Sequence, residues 1–197
     1  ILKDLKIVII FLKNFMKTKK NKDLEFFSKF LKKKIIEISY IKKTHHVGSC
    51  LSCVEILVFA FFDFLNFKKK ERKKNDFFIL SKGHAALAYY IVLMMKNFFS
   101  EKFLLKNYIE NGGVLGGHPD RNYKLGIDYC SGSLGHGLSV GCGVALSNIK
   151  DKNNKKVLVV IGDGECNEGM IWEAALFAGH NNLNNLYVIL DYNKQQG

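Results

Sequence analysis

Val157-Leu-Val-Val-Ile-Gly-Asp-Gly164 opens the stretch that decides the fold, and Leu186-Tyr-Val-Ile-Leu-Asp-Tyr-Asn193 closes it. Val157–Ile161 is continuously apolar and rich in β-branched residues, as expected of a strand buried on both faces of a parallel sheet. It stops abruptly at Gly162-Asp163-Gly164. Residues 167–180 read as a helix, the Asn-rich residues 181–185 as its exit, and Leu186–Leu190 as a second buried strand. Strand, helix and strand of these lengths form a β-α-β unit, whose crossover makes the strands parallel. Asp163 and Asn193 then each follow the carboxyl end of a strand. Both lie on the sheet edge where open α/β folds bind ligands.

Outward from this unit the helices are read from spacing. Phe26, Phe27, Phe30, Leu31, Ile35, Ile38 and Ile41 recur at helical intervals over residues 23–43, with lysines between them. A second helix is expected over 52–65, followed by a basic loop at 68–75. Phe77–Leu80 is a short apolar approach to Ser81-Lys-Gly-His84, and an apolar helix follows over 85–95. Ser100 reads as the N-cap of a further helix, with Glu101 in its first turn. Residues 111–137 are glycine-rich and turn-like. A small-residue helix runs over 137–149, and Lys150–Lys156 is a polar loop.

The chain has 197 residues, 48% apolar and 24% charged, which suits a globular domain with one sizeable core. Its longest apolar run, Ala85–Met95, is well short of the ~20 residues a membrane helix needs. The net charge is +12, and residues 1–80 carry nearly all of it. Only Arg72 and Arg121 are arginines, whereas base reading and bidentate phosphate clamping favour arginine. The lysine runs therefore read as solvated faces, and neither a nucleic acid nor a membrane is expected as partner. Five cysteines without a framework spacing suit a reducing, cytoplasmic setting. Cys50-Leu-Ser-Cys53 lacks a second pair for zinc and reads as two free thiols on a helix.

Three constellations carry chemistry. Asp163, Asn193 and a backbone carbonyl such as that of Gln195 form a hard-oxygen set of the kind Mg²⁺ takes, with phosphate and water completing the octahedron. Gly162 and Gly164 would let a phosphate approach the backbone at a helix start. The alternative is a strand-to-helix turn that Asp163 merely caps. His46, His84 and His118 each stand in a glycine-bearing turn; each alone suits a structural role, but together they point to proton transfer or phosphate contact. His180 reads as a helix C-terminal cap, and His45 and His136 stay unassigned. Ser131-Gly-Ser-Leu-Gly-His-Gly137 would admit a ligand ring or another backbone, and Gly137, Gly141 and Gly143 could equally serve tight helix packing.

Ser-Lys-Gly-His84, Gly-Gly-His118-Pro-Asp, Gly132-Ser-Leu-Gly and Gly162-Asp-Gly…Asp191-Tyr-Asn193, in this order, resemble the thiamine-diphosphate-binding domain of transketolase, closest to the form made as a separate N-terminal subunit. The resemblance spans residues 44–197. It implies a three-layer α/β/α fold with a mostly parallel sheet, Mg²⁺ (or Ca²⁺ or Mn²⁺) on the cofactor diphosphate held by Asp163, Asn193 and the Gln195 carbonyl, and diphosphate contacts from Gly164, the Glu165 backbone and His84. Gly132, Ser133 and Leu134 would border the cofactor rings. His46 and His118 would face substrate hydroxyls, and Glu168 would communicate with a paired active site. The cofactor ylid carries the carbon–carbon chemistry; the protein positions it.

His45, Val47 and His136 depart from common family residues, which bears on substrate identity more than on cofactor binding. The glutamate that activates the aminopyrimidine belongs to a second domain in this family, and none is present in the sequence. The expected organisation is a basic extension over 1–22 and an incomplete cofactor domain over 23–197. The expected activity is transfer of a two-carbon ketol unit between sugar phosphates, together with a C-terminal subunit or domain in a homodimer or heterotetramer. A deoxyxylulose-phosphate synthase, a 2-oxoacid dehydrogenase component and an inactive assembly subunit or fragment are the alternatives.

Overall fold

Five-residue apolar runs that end in glycine or aspartate make the central strands. The computed structural model describes residues 19–195, with side chains from residue 22 onward. Strands β1 (Phe77–Leu80), β2 (Val157–Gly162) and β3 (Leu186–Asp191) form one parallel sheet in the order β1-β2-β3. Phe77 is in register with Val157, Val157 with Leu186, and Gly162 with Asp191. Every residue of β2 is buried, as its uninterrupted apolar run demands. Phe77–Leu80, read from sequence only as an apolar approach, is a strand.

Alternation along the strands divides the core in two. Phe78, Leu80, Leu158, Val160 and Ile189 face a large cluster with residues of the N-terminal helices. Those helices are α1 (Lys19–Lys42), α2 (Val47–Ser52), α3 (Val54–Phe59) and α4 (Ala86–Met95). Ile79, Val157, Val159, Ile161, Leu186 and Val188 face the second cluster, with residues of α6 (His136–Lys150) and α7 (Gly169–His180). The result is the expected three-layer α/β/α arrangement, with α5 (Glu101–Asn107) beside α4.

Helix α1 buries Leu31, Ile35 and Ile38 and leaves Tyr40 and Ile41 exposed. It begins at Lys19, inside the basic extension expected over 1–22, whose residues up to 18 lie outside those described. The helix expected over 52–65 is instead three pieces: α2, α3 and a π-helical turn at Ala60–Phe64. The break falls at Cys53, directly after Ser52, whose Oγ lies 3.0 Å from the Ser49 carbonyl. The pair Cys50 and Cys53 is buried with free thiols, Cys50 in α2 and Cys53 at this junction. The expected basic loop at 68–75 contains tight helical turns over Lys69–Lys74.

Helix α6 lies close on the sheet through two of its three candidate glycines. A Cβ on Gly141 would stand 2.6 Å from Val159 Cγ2, and one on Gly137 would stand 2.4 Å from Ser81 Oγ. Gly143 faces open space and takes no part in this packing. Ser100 caps α5 as expected, its hydroxyl accepting from the Phe103 amide at 3.2 Å. Among the described residues no helix is long and apolar enough to cross a membrane.

Candidate functional site at the carboxyl edge of the sheet

Because Gly162 and Asp191 are register partners, the residues after β2 and β3 leave the sheet side by side. Asp163 starts the turn Gly164–Asn167 and accepts from the Gly164 amide at 3.1 Å through Oδ1. Its Oδ2 accepts from the Lys194 amide at 2.7 Å, and Asn193 Oδ1 accepts from the Gln195 amide at 2.8 Å. Lys194 adopts a left-handed φ of 60°, which folds residues 193–195 back over Asp163. Asp163 is therefore both cap and candidate ligand.

One carboxylate, one carboxamide oxygen and the backbone of Gln195 thus converge. This hard, weakly charged donor set fits a small divalent cation that takes its remaining ligands from phosphate and water. Among the described residues no cluster of three or more His, Cys, Asp or Glu offers a rival metal site.

Glu165 plays a different part from its neighbours. Its side chain is 2% exposed and turned inward. Oε1 accepts from the Gly135 amide at 2.8 Å and from the Ser81 hydroxyl, and Oε2 accepts from the Gly162 amide at 3.1 Å. It ties together the ends of β1 and β2 and the loop before α6. Only the Glu165 backbone remains for a ligand.

The three glycine-turn histidines meet in space. The His46 ring centroid lies 5.6 Å from that of His84 and 6.3 Å from that of His118. His46 holds a left-handed φ of 62° at the start of α2, a conformation uncommon outside glycine and concentrated at functional sites. Burial, then the nearby Lys82 charge, then His46 and His118, push the His84 imidazole down to about 4. His84 is consequently neutral at neutral pH and keeps one ring nitrogen as an acceptor.

Gly132 closes this cluster. A Cβ there would touch the His118 ring at 3.6 Å, and its φ of +151° lies where side chains are rare. Ser133 is exposed and Leu134 half-buried on the same loop, open to a ligand ring. Glu168 stands exposed at the N-terminal boundary of α7, without a side-chain cap bond, and its Cβ lies close beside Gly135. His180 ends α7, and His136 starts α6 with Nδ1 3.1 Å from the Leu134 carbonyl.

Several site residues escape a reading of the sequence. Lys82 and Asp191 form a buried ion pair between the histidine cluster and Asn193, with Ser52 between them. Among the described residues the buried hydroxyls of Ser49 and Ser131 have no hydrogen-bond partner, Ser131 lying beside Gly83 and Gly132. Orphaned hydroxyls at a ligand edge suit a group that arrives with its own polar atoms. No local pattern marks such residues, because each partner comes from a distant element.

A parallel α/β domain with a carboxylate, a carboxamide and a cluster of imidazoles gathered at one sheet edge is the class these features define. The chain belongs to the transketolase thiamine-diphosphate-binding domain family: the family model described as "Transketolase, thiamine diphosphate binding domain" matches residues 31–196. An apulose-4-phosphate transketolase subunit of Phocaeicola vulgatus is 40% identical over 175 residues, covering 88% of this chain and 62% of that protein. Human transketolase is 40% identical over 152 residues, covering 76% of this chain and 24% of that protein. Among solved structures, transketolase from Campylobacter jejuni superposes with a TM-score of 0.77 at 25% identity, covering 92% of this chain and 29% of that one. The chain thus spans less than two thirds of the length of these relatives.

Proposed function

We propose that residues 23–197 form the diphosphate-binding half of a transketolase-type transferase, which moves a two-carbon ketol unit between sugar phosphates. The observation that carries this reading is the folding of the 193–195 turn over Asp163, beside the three-histidine cluster. Asp163, Asn193 and the Gln195 carbonyl would hold Mg²⁺, with Ca²⁺ or Mn²⁺ able to replace it. Gly164, the Glu165 backbone and His84 would meet the diphosphate. Gly132, Ser133 and Leu134 would border its rings.

The cofactor, thiamine diphosphate, supplies the carbanion chemistry when bound. The residues of this chain bind, orient and handle protons. His84, held neutral, offers an acceptor nitrogen without placing a cation beside its neighbours. His46 and His118 are exposed and can exchange protons with substrate hydroxyls through their ring nitrogens.

A C-terminal-type subunit or domain completes the enzyme in this reading, in a homodimer or heterotetramer. The Phocaeicola vulgatus relative is itself named as one subunit of its transketolase, which supports a divided enzyme. So does α7, whose Trp172, Leu176 and Phe177 stand 59%, 54% and 44% exposed on one helix, with Glu168 at its start. A large apolar helix face beside a site is a docking surface for protein. Free thiols throughout favour a cytoplasmic setting.

Calorimetric titration with thiamine diphosphate and Mg²⁺ tests the binding. Asp163→Ala should abolish Mg²⁺-dependent cofactor binding, and wild-type affinity in that variant would sink the assignment. Turnover with the partner on a donor ketose, against pyruvate, separates this reading from the other thiamine-diphosphate enzymes; no turnover with either supports an assembly subunit.

A further inference from the structure

Lys82 is 1% exposed, although it leaves β1 within a few residues of the ligand edge. Its Nζ contacts Asp191 Oδ2, with both side chains almost wholly buried, and lies 3.2 Å from Ser52 Oγ. Ser52 Oγ lies 2.6 Å from that same carboxylate oxygen and 3.3 Å from Asn193 Nδ2. The exit of β1, the end of α2 and the end of β3 are thus linked to one amide. Lysine and aspartate cancel in charge, so the link adds no net charge beside a cation.

A hydroxyl has one proton and two lone pairs, and an ammonium only donates. The Ser52 proton goes to the carboxylate, the strongest acceptor within reach and the nearer one, since the Ser49 carbonyl stands at 3.0 Å. The ammonium and the Asn193 amide group then donate to the Ser52 oxygen. A carboxamide has two ends of nearly equal shape, and only its oxygen can serve a cation. With Nδ2 tied to Ser52, Oδ1 points instead to the Gln195 amide at 2.8 Å, where residues 193–195 fold over Asp163. An aspartate at 193 would need no such steering.

We infer that the buried Lys82–Asp191–Ser52 triad is a positioning device that fixes which end of the Asn193 carboxamide faces the cation, making Ser52 a determinant of metal affinity. This rests on the reading of Asp163, Asn193 and Gln195 as cation ligands. Lys82 stands as the counter-ion of the buried Asp191 carboxylate. That carboxylate holds the Ser52 proton, which leaves the lone pair that Asn193 uses.

The experiment titrates the whole chain, loaded with thiamine diphosphate, with Mn²⁺ and reads free Mn²⁺ by electron paramagnetic resonance. Ser52→Ala raises the Mn²⁺ dissociation constant roughly 10- to 100-fold, the range for losing the partner behind a metal ligand, and Ser52→Thr restores it. In an Asn193→Asp background both ends are oxygen, so adding Ser52→Ala changes nothing further. Apo-protein melting of Ser52→Ala stays close to wild type, which separates lost steering from lost fold. Wild-type affinity in Ser52→Ala overturns the inference, as does an equal penalty in the Asn193→Asp background. Wild-type chain that binds no Mn²⁺ with the cofactor present overturns the cation site itself, and the inference with it.

Discussion

Removal of the Glu165 carboxylate should weaken the fold more than removal of any exposed charge. Three donors converge on it: the amides of Gly135 and Gly162 and the hydroxyl of Ser81. The side chain is 2% exposed, so water cannot replace it without opening the structure. A buried donor left without an acceptor costs about 1–3 kcal/mol. The Ser81 hydroxyl can rotate to another acceptor, whereas the two amides are fixed by backbone. Glu165→Ala should therefore lose about 3–5 kcal/mol, which is also the scale of breaking a buried charged network from one side.

Set against a total stability of about 5–15 kcal/mol, that is a large share. With a urea dependence of about 2 kcal/mol per molar, the unfolding midpoint falls by about 2 M. Glu165→Gln keeps the shape and one oxygen but turns an NH₂ toward one set of donors, a loss of about 2 kcal/mol and about 1 M. The ranking wild type, Gln, Ala should appear in equilibrium urea unfolding. Amide exchange at Gly135 should speed up in the Gln variant before global unfolding does, because that amide holds the loop carrying Gly132–Leu134. A Glu165→Ala midpoint equal to that of wild type would refute the reasoning.

Other expectations follow from the same geometry. Gly141→Ala drives a methyl into Val159 Cγ2 at 2.6 Å, so overpacking of about 1–3 kcal/mol should outweigh a helix-propensity gain of about 1 kcal/mol. Gly143→Ala meets open space and keeps the gain, so calorimetric melting should fall for the first and rise for the second. The His84 imidazole titrates at about 4 in the fold against a usual value of 6.5, so between these pH values the unfolded chain holds a proton that the native chain lacks. Stability is then lost as pH drops through that window, and His84→Gln should flatten the fall of the urea midpoint; equal slopes would refute the shift. Trp172→Asp, on the exposed face of α7, should abolish co-elution with the proposed C-terminal partner while leaving melting of the isolated chain near wild type.

The fold is most legible where burial is written on consecutive residues. Val157–Ile161 and Leu186–Leu190 declare strands buried on both faces, and the observed β2 and β3 extend each by one residue, to Gly162 and Asp191. Phe77–Leu80 has the same chemistry but only four residues, and its partner β2 lies beyond α4, α5 and α6 in the chain. A short apolar run acquires its meaning from that distant pairing. The early start of α2 is hidden for another reason. Helix starts are read from serine or aspartate caps, and α2 begins instead after a histidine in left-handed geometry with no side-chain cap.

The site divides along the same line. Asp163 and the histidines are legible because a polar residue beside glycine is a local pattern, and Asn193 because it follows the end of an apolar strand run. The groups that hold them are not. In a chain with +12 charge and lysine at almost every basic position, nothing local sets Lys82 apart from a solvated cation. Yet its ammonium lies at 1% exposure against Asp191, whereas Lys29 and Lys33, in surface pairs of α1, stand 74% and 73% exposed. Identical chemistry thus serves two purposes, and the difference is set by whether a carboxylate from another strand end is waiting in the interior. Surface pairs such as Lys29–Glu25 contribute little and can drift in composition. Lys82 has no such freedom, because its removal would strand a buried carboxylate behind the residue proposed to bind the cation. The positive charge is therefore mostly background, and among the described residues its one buried member is Lys82, behind the residue proposed to bind the cation.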